Sequence, residues 1–323
     1  FDTRVMQVVE TLKGEARKGV CGPWEVVDPR RILREMRLVK DDLDIRDLQA
    51  ACTVTSHGFV AAMRACAPGM SERELASVVE FEFRRRGSPR VSFETICAAG
   101  ANAATLHYIR NDSTIADGDL VLIDAGAEIG LVSADISRTF PASGRFGAMQ
   151  RRVYEWVLKA QSAAIAAIRP GVTYAKVHET ALKVLVDGLI DLGALKGKPG
   201  ELIESGAYRP YFMHRIGHWL GMDVHDVGPY FVDGASIPLR PGMVITVEPG
   251  LYFADVPATP KALRGIGVRI EDDVLVTPKG RRVLTDVPKT VDQIESLMSD
   301  RGAWWRDVQP VTIPAPKVSR KKR

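Results

Sequence analysis

The stretch Leu120-Val121-Leu122-Ile123-Asp124-Ala125-Gly126 decides how the rest of the chain is read. Four apolar residues in a row mark a buried strand, and the run ends on a carboxylate. Burying an unpartnered charge costs several kcal/mol or forces the group to neutralise. The pattern recurs: Glu248 follows Val244-Ile245-Thr246-Val247, and Glu271 follows Ile266-Gly267-Val268-Arg269-Ile270. Asp135 and His218 also sit in apolar or glycine-rich surroundings. Carboxylates converging on one place repel strongly unless a multivalent cation holds them. Asp124, Asp135, His218, Glu248 and Glu271 are therefore the candidate ligands of a metal centre.

The set is hard and oxygen-rich. It disfavours a structural zinc, which prefers thiolates in a closed four-ligand shell. It suits Mn²⁺, with Co²⁺, Fe²⁺ or Zn²⁺ as alternatives. Five side chains, two of them able to bridge, exceed the needs of one ion and fit two ions roughly 3.5–4 Å apart. Such a pair lowers the pKa of a bridging water towards roughly 7, so the expected chemistry is metal-assisted hydrolysis. Strand alternation should put Arg269 on the same face as Glu271, where it can pair with a ligating carboxylate. Four of the six histidines, His107, His214, His218 and His225, lie near the candidate ligands or in one glycine-rich segment. An imidazole there can hydrogen-bond a substrate carbonyl or a developing oxyanion. His57 and His178 fall within helical patterns and are read as structural. For Asp272 and Asp273, beside a ligand, the simplest reading is a solvated or supporting role.

Composition is that of an ordinary globular chain: 323 residues, 46% hydrophobic, 26% charged, net charge +4. The charge alone is too small to imply a nucleic-acid partner, and no apolar stretch approaches the roughly 18–20 residues of a membrane span. The N-terminus does not read as a signal peptide. The four cysteines form no paired motif. Cys52 and Cys66 share a helical face with Leu48, Phe59 and Met63 and read as buried small hydrophobes, which suits a cytoplasmic location.

Residues 1–39 read as the remnant of an N-terminal domain or a linker, with a short helix over 4–18 and a basic run after Gly22-Pro23. Residues 40–300 read as one catalytic domain. It opens with a long helix from Asp41-Asp42 to Pro68-Gly69 and a second helix capped by Ser71 and Glu74. Short strands are expected near 93–98, 106–108, 119–124 and 131–140, the last two turning through Glu128-Ile129-Gly130. Two helices follow, striped by Val153, Val157, Ala160, Ala164 and Ile168, then by Val177, Ala181, Val184 and Gly188. Strands near 244–247, 268–276 and 282–284 and a helix near 291–298 complete it. Helices followed by strand pairs occur in both halves, the pattern of an internal duplication. Residues 301–323 read as a flexible basic tail.

At the candidate ligands the chain resembles the pita-bread metallopeptidases, most closely the bacterial Xaa-Pro aminopeptidases (aminopeptidase P). The matching stretches are the opening one and Ala134-Asp135-Ile136-Ser137-Arg138-Thr139-Phe140. In the second half they are His214-Arg215-Ile216-Gly217-His218-Trp219-Leu220-Gly221-Met222-Asp223-Val224-His225-Asp226, Val247-Glu248-Pro249-Gly250-Leu251-Tyr252 and Arg264-Gly265-Ile266-Gly267-Val268-Arg269-Ile270-Glu271-Asp272-Asp273. The resemblance implies an α+β pita-bread fold, with duplicated helix-plus-antiparallel-strand halves around a curved sheet. It also implies a dinuclear, usually manganese, centre. By analogy Asp124 chelates one ion, His218 with Glu248 the other, and Asp135 and Glu271 bridge. Glu248 would also act as base. His225 resembles the histidine that stabilises the transition state, His107 another active-site histidine, and His214 a pocket residue. Tyr252 and Arg269 match supporting positions. The implied reaction removes the first residue from peptides with proline second. A prolidase restricted to dipeptides is the alternative, and a non-enzymatic binding protein on this fold is a third reading. A homodimer is implied by resemblance only, with neither nucleic acid nor membrane as partner. Relatives carry an N-terminal domain that is truncated or absent here, so this is a fragment or a short form.

Overall fold

The computed structural model describes residues 2–23, 25 and 27–300, so the expected tail at 301–323 lies outside the described residues. The chain divides into two compact units, Phe1–Met36 and Arg37–Arg323. In the first, α1 (Asp2–Gly14) and a 3₁₀ turn (Ala16–Lys18) occupy the expected helical stretch. Helix α2 (Arg30–Leu38) forms where only a basic run was expected.

The larger unit opens with α3 (Asp42–Ala65). Asp41 caps it by accepting from the Leu43 and Asp44 N–H groups, and the Asp44 carboxylate accepts from the Asp41 N–H. These bonds satisfy donors that a helix start leaves orphaned. Ser71 and Glu74 form the same reciprocal box for α4 (Glu72–Arg85). The predicted face of α3, including Cys52, Phe59 and Met63, is buried, as is Cys66 beyond its end. None of the four cysteines is in a disulfide.

Strands β1 (Arg90–Val91), β2 (Ile96–Ala99), β3 (Leu120–Ala125), β4 (Ala127–Ile129), β5 (Val132–Ser133) and β6 (Ile136–Pro141) follow. β3 lies between β2 and β6, and its Asp124 stands opposite Ile96 and Ser137. β4 and β5 turn through Gly130 and Leu131, both at positive φ (61° and 67°). Two such residues give the hairpin turn whose twist matches its strands, one residue later than expected. The strand expected at 106–108 is instead a turn after a 3₁₀ helix, Gly100–Ala104.

Helices α5 (Ala148–Ala167) and α6 (Tyr174–Asp191) bury the predicted stripes, although Val184 is only half-buried. They pack closely at Gly188, where a Cβ would fall 2.8 Å from Trp156. A short α7 (Pro199–Glu204) and the hairpin β7 (Phe231–Val232) and β8 (Ala235–Ser236) lead into β9 (Val244–Val247), β10 (Gly250–Phe253), β11 (Ile266–Arg269), β12 (Asp272–Thr277), β13 (Gly280–Val283) and α8 (Val291–Ser299). The single strand expected over 268–276 is therefore two: β11 pairs with β10, while β12 lies between β9 and β13. Every ladder is antiparallel. The expected duplication is visible, α3 packed on α4 with β2-β3-β6 in one half and α5 on α6 with β9-β12-β13 in the other.

Gly126, between β3 and β4, lets the chain just after Asp124 pass close to the residue before Asp135. A Cβ there would lie 1.8 Å from the Ala134 carbonyl oxygen. Gly126→Ala should destabilise the protein by about 2–3 kcal/mol, as overpacking of a rigid interior does. An unchanged urea midpoint would mean that the β4–β5 hairpin lifts away freely.

Candidate metal centre

Each half presents its ligands from a strand or the end of one. Asp124 lies in β3, Asp135 just precedes β6, Glu248 follows β9 and Glu271 precedes β12. His218 is held alongside β9: the Thr246 N–H donates to the His218 carbonyl, and the Glu248 N–H to that of Ile216. Gly217 permits this contact, since a Cβ there would meet the Thr246 carbonyl oxygen at 1.9 Å.

All five predicted ligands line one cavity of about 440 Å³, together with His107, His214, His225 and Arg269. His218 Nε2 lies 3.3 Å from Asp135 Oδ2 and 3.7 Å from Glu248 Oε1. One donor atom from each of Asp135, His218 and Glu271 falls within 4.8 Å of the others. Asp124 Oδ1, Asp135 Oδ1 and Glu271 Oε1 are buried and have no hydrogen-bond partner among the described residues. Buried polar atoms are almost always satisfied, so three orphaned carboxylate oxygens around one cavity fit a hard divalent cation.

The electrostatics agree. Burial, reinforced by Glu271, Asp124, Asp273 and Glu248, pushes the Asp135 carboxyl well above the carboxylate range. Burial and repulsion from Glu248, Asp124 and Asp273 do the same to Glu271. Glu248 is pushed up to about 8 by burial, against the opposing pull of Arg269. Burial and the neighbouring His225 hold His218 down to about 4, so its ring is neutral at pH 7. Its Nδ1 is 3.1 Å from the Trp219 carbonyl oxygen. A carbonyl only accepts, which assigns the proton to Nδ1 and leaves the Nε2 lone pair facing the carboxylates.

Arg269 lines the same cavity as Glu271, although the strand break between them removes the alternation from which this was expected. Its Nη2 donates to Asp124 Oδ2 at 2.7 Å and its Nε to Ser137 Oγ at 2.8 Å, and Ser137 Oγ in turn donates to Glu271 Oε2 at 2.9 Å. Tyr252 does not line the cavity; its hydroxyl accepts from Arg269 Nη1 at 3.1 Å and lies 2.8 Å from His214 Nε2. Burial, reinforced by Arg269, holds His214 down to about 3. The His225 ring sits edge-on to His218 with centroids 4.3 Å apart. Burial and His107 hold it below the ordinary histidine value. His178 is half-buried and stacks on Phe212.

Neither Asp272 nor Asp273 is solvated; both are buried. Burial pushes the Asp272 carboxyl up, but Arg138 and Lys289 outweigh it and hold it below the usual range. Asp273 Oδ2 accepts from the Asp135 N–H at 3.0 Å and from Cys52 Sγ at 3.2 Å, fixing the backbone of a candidate ligand. Sequence reasoning missed Ser137, although it shares a strand face with Asp135. It also missed Asp226, a buried carboxylate beside His225 that accepts from Lys40 Nζ at 2.8 Å and Arg37 Nη2 at 2.5 Å. No local signal pairs residues so far apart in sequence. The cavity's apolar wall, with Phe93, Ile96, Leu106, Ile109 and Val224, was likewise unassigned.

Residues 46–278 match the model for metallopeptidase family M24. A Xaa-Pro aminopeptidase of Haemophilus influenzae is 47% identical over 276 residues, 85% of this chain and 64% of the relative, so the chain spans less than two thirds of that relative's length. The structure of Pseudomonas aeruginosa aminopeptidase PepP superposes with a TM-score of 0.90 at 47% identity, covering 93% of this chain and 69% of that one. A zinc-substituted E. coli aminopeptidase P in complex with product gives a TM-score of 0.89 at 43% identity, covering 93% and 68%.

Proposed function

Because the chain belongs to metallopeptidase family M24, we propose that it is a dinuclear-metal hydrolase removing the N-terminal residue from peptides with proline in second position, and that residues 40–300 form its catalytic domain. The observation that carries this is the group of orphaned carboxylate oxygens of Asp124, Asp135 and Glu271, facing the same cavity as the neutral His218. In this reading Asp124, Asp135, His218, Glu248 and Glu271 would hold the divalent ions. Manganese suits the donor set best, and Zn²⁺ is the ion in one E. coli relative. When bound, the ions supply Lewis-acid activation of water and of the scissile carbonyl.

The chain's own residues do the rest. Glu248 accepts a proton from the attacking water. His225, whose ring packs edge-on to His218 in the same cavity, donates a hydrogen bond to the oxyanion as it develops. His107 hydrogen-bonds the substrate from the opposing loop, and Arg269 and Ser137 fix the carboxylates of Asp124 and Glu271. Proline offers no N–H, so its ring is received by the apolar wall instead. A homodimer rests on the resemblance alone, and a cytoplasmic location on the reading of Cys52 and Cys66 as buried small hydrophobes.

Hydrolysis of an Xaa-Pro dipeptide beside an Xaa-Pro-Xaa tripeptide, in Mn²⁺ and with chelator, tests the reading. Metal-dependent release of the first residue from the tripeptide is expected. Cleavage of the dipeptide alone would make the protein a prolidase, and cleavage of neither would sink both. In the same assay His225→Ala should lower kcat about a hundredfold at unchanged metal content. Loss of the bound ions would instead make His225 a ligand.

A further inference from the structure

The loop that carries His107 supplies none of the candidate ligands, yet one side chain remote from them holds it at four points. Glu72, the first residue of α4, is fully buried. Its Oε1 accepts from the Ala99 N–H at 2.7 Å and from Asn102 Nδ2 at 2.9 Å. Its Oε2 accepts from the Tyr108 hydroxyl and from the Ser113 N–H, each at 2.9 Å. One carboxylate thus ties together the end of β2, the 3₁₀ helix, the turn and the exit of the segment 99–113.

Between these ties the segment projects Leu106, His107 and Ile109 into the cavity wall. Tyr108 is buried, while its neighbours His107 and Ile109 are exposed to the cavity. The phenol bonded to Glu72 therefore determines where the adjoining imidazole is presented. Two further contacts stiffen the frame. Asn111, at φ 47°, accepts from the Cys97 N–H at 2.8 Å and donates to the Thr95 carbonyl at 2.7 Å. On the other side Gly267 lets β11 come so close that a Cβ would fall 2.1 Å from the Ala103 carbonyl oxygen.

The chemistry calls for a carboxylate. Only an ionised acid accepts four hydrogen bonds without presenting a donor of its own. Glutamine at 72 would turn an NH₂ towards two donors, one of them a backbone N–H that cannot reverse its role. Simple filling of this space would need no charge, since a buried charge is commonly replaced by apolar packing without loss. The satisfied acid fixes a geometry instead.

We propose that Glu72 is a positioning residue for the reaction, holding through Tyr108 the loop that sets His107 against the substrate. This rests on the reading of His107 as an active-site histidine. The test is a double-mutant cycle on the Mn²⁺-loaded enzyme, with kcat and KM measured on an Xaa-Pro-Xaa tripeptide and metal content determined for each variant. Glu72→Gln should lower kcat about tenfold with metal content unchanged, because small misplacements of an aligned group are costly. Combined with His107→Ala, it should add no further loss. A slow His107→Ala enzyme that Glu72→Gln slows by its own full factor again would overturn the inference and leave His107 in its role. A His107→Ala enzyme as fast as wild type would overturn both. Should Glu72→Gln fail to fold, Tyr108→Phe removes one of the four bonds and must show the same coupling.

Discussion

Glu248→Gln should give a folded protein that still binds cation yet turns over Xaa-Pro peptides about a thousandfold more slowly. The substitution keeps the volume and one carbonyl oxygen for ligation, and it removes the lone pairs that take up a proton. The environment marks this residue among the carboxylates. Its Oε2 is 3.6 Å from His214 Nδ1 and its Oε1 is 3.7 Å from His218 Nε2, and neither imidazole is charged near neutrality. Burial raises it to about 8, near the value a base working at neutral pH needs. Asp135 and Glu271 sit deeper, and Asp124 is tied to Arg269, which leaves Glu248 the acid most open to the cavity. Metal analysis beside tripeptide kinetics decides the matter. Turnover within tenfold of wild type would remove Glu248 from the role of base, and loss of all metal would show that it acts chiefly as a ligand.

Chelation should make stability depend on pH in a direction that most proteins do not show over this range. Without cations the folded-state pKa values of Asp135, Glu271, Glu248 and Asp273 lie above their unfolded values of about 4. Burial is the largest cause in each case. At these four carboxyls the folded protein then holds protons that the unfolded chain has released, so the stability they contribute is fully present below about pH 4 and falls as pH rises. Glu248 and Asp273 are both pushed up to about 8, so their share of the fall runs through that pH, and the raised Asp135 and Glu271 add to it. His214, His218 and His225, held below the ordinary histidine value, act in the opposite sense until the unfolded histidines lose their protons near pH 6.5, so in chelator Tm should drop by several degrees between about pH 7 and 8. Saturating Mn²⁺ should flatten the curve, because cations replace the protons and bind more tightly as pH rises. A chelated protein whose Tm is flat or rises over that interval would show that the four carboxyls do not share their charge as described.

The candidate ligands stand out in the sequence because each sets a carboxylate or imidazole against the hydrophobic grain of its segment. Asp124 after Leu120-Val121-Leu122-Ile123 has no reason to be there except a partner. The helix starts at Asp41 and Ser71 were legible for a similar reason, since capping is local chemistry. The break between β11 and β12 was not. Residues 268–276 alternate like one strand, but the Ile270 N–H turns to the Pro249 carbonyl and the Glu271 N–H to that of Ser137, partners that only the tertiary fold supplies. Leu106-His107-Tyr108 misled likewise: an apolar–polar–aromatic triplet suggests a strand, whereas the Tyr108 hydroxyl is drawn away to Glu72. Asp226 with Lys40, and Asp273 with Cys52, pair across long separations that leave no periodic trace. What escapes the sequence is therefore mostly the scaffolding around the candidate site.

The split origin of the candidate carboxylate ligands, two from β2-β3-β6 and its neighbourhood and two from the ends of β9 and β12, also bears on the route by which the protein reaches its native state. No local segment contains enough donors to capture a cation, so capture has to wait until both halves have docked. A contact made so late is absent from the folding transition state, and strengthening it slows escape from the native basin without hastening arrival. Bound metal then acts as a latch. It lengthens the lifetime of the finished molecule, while the speed of its making stays with the hydrophobic strands and capped helices that were already in place.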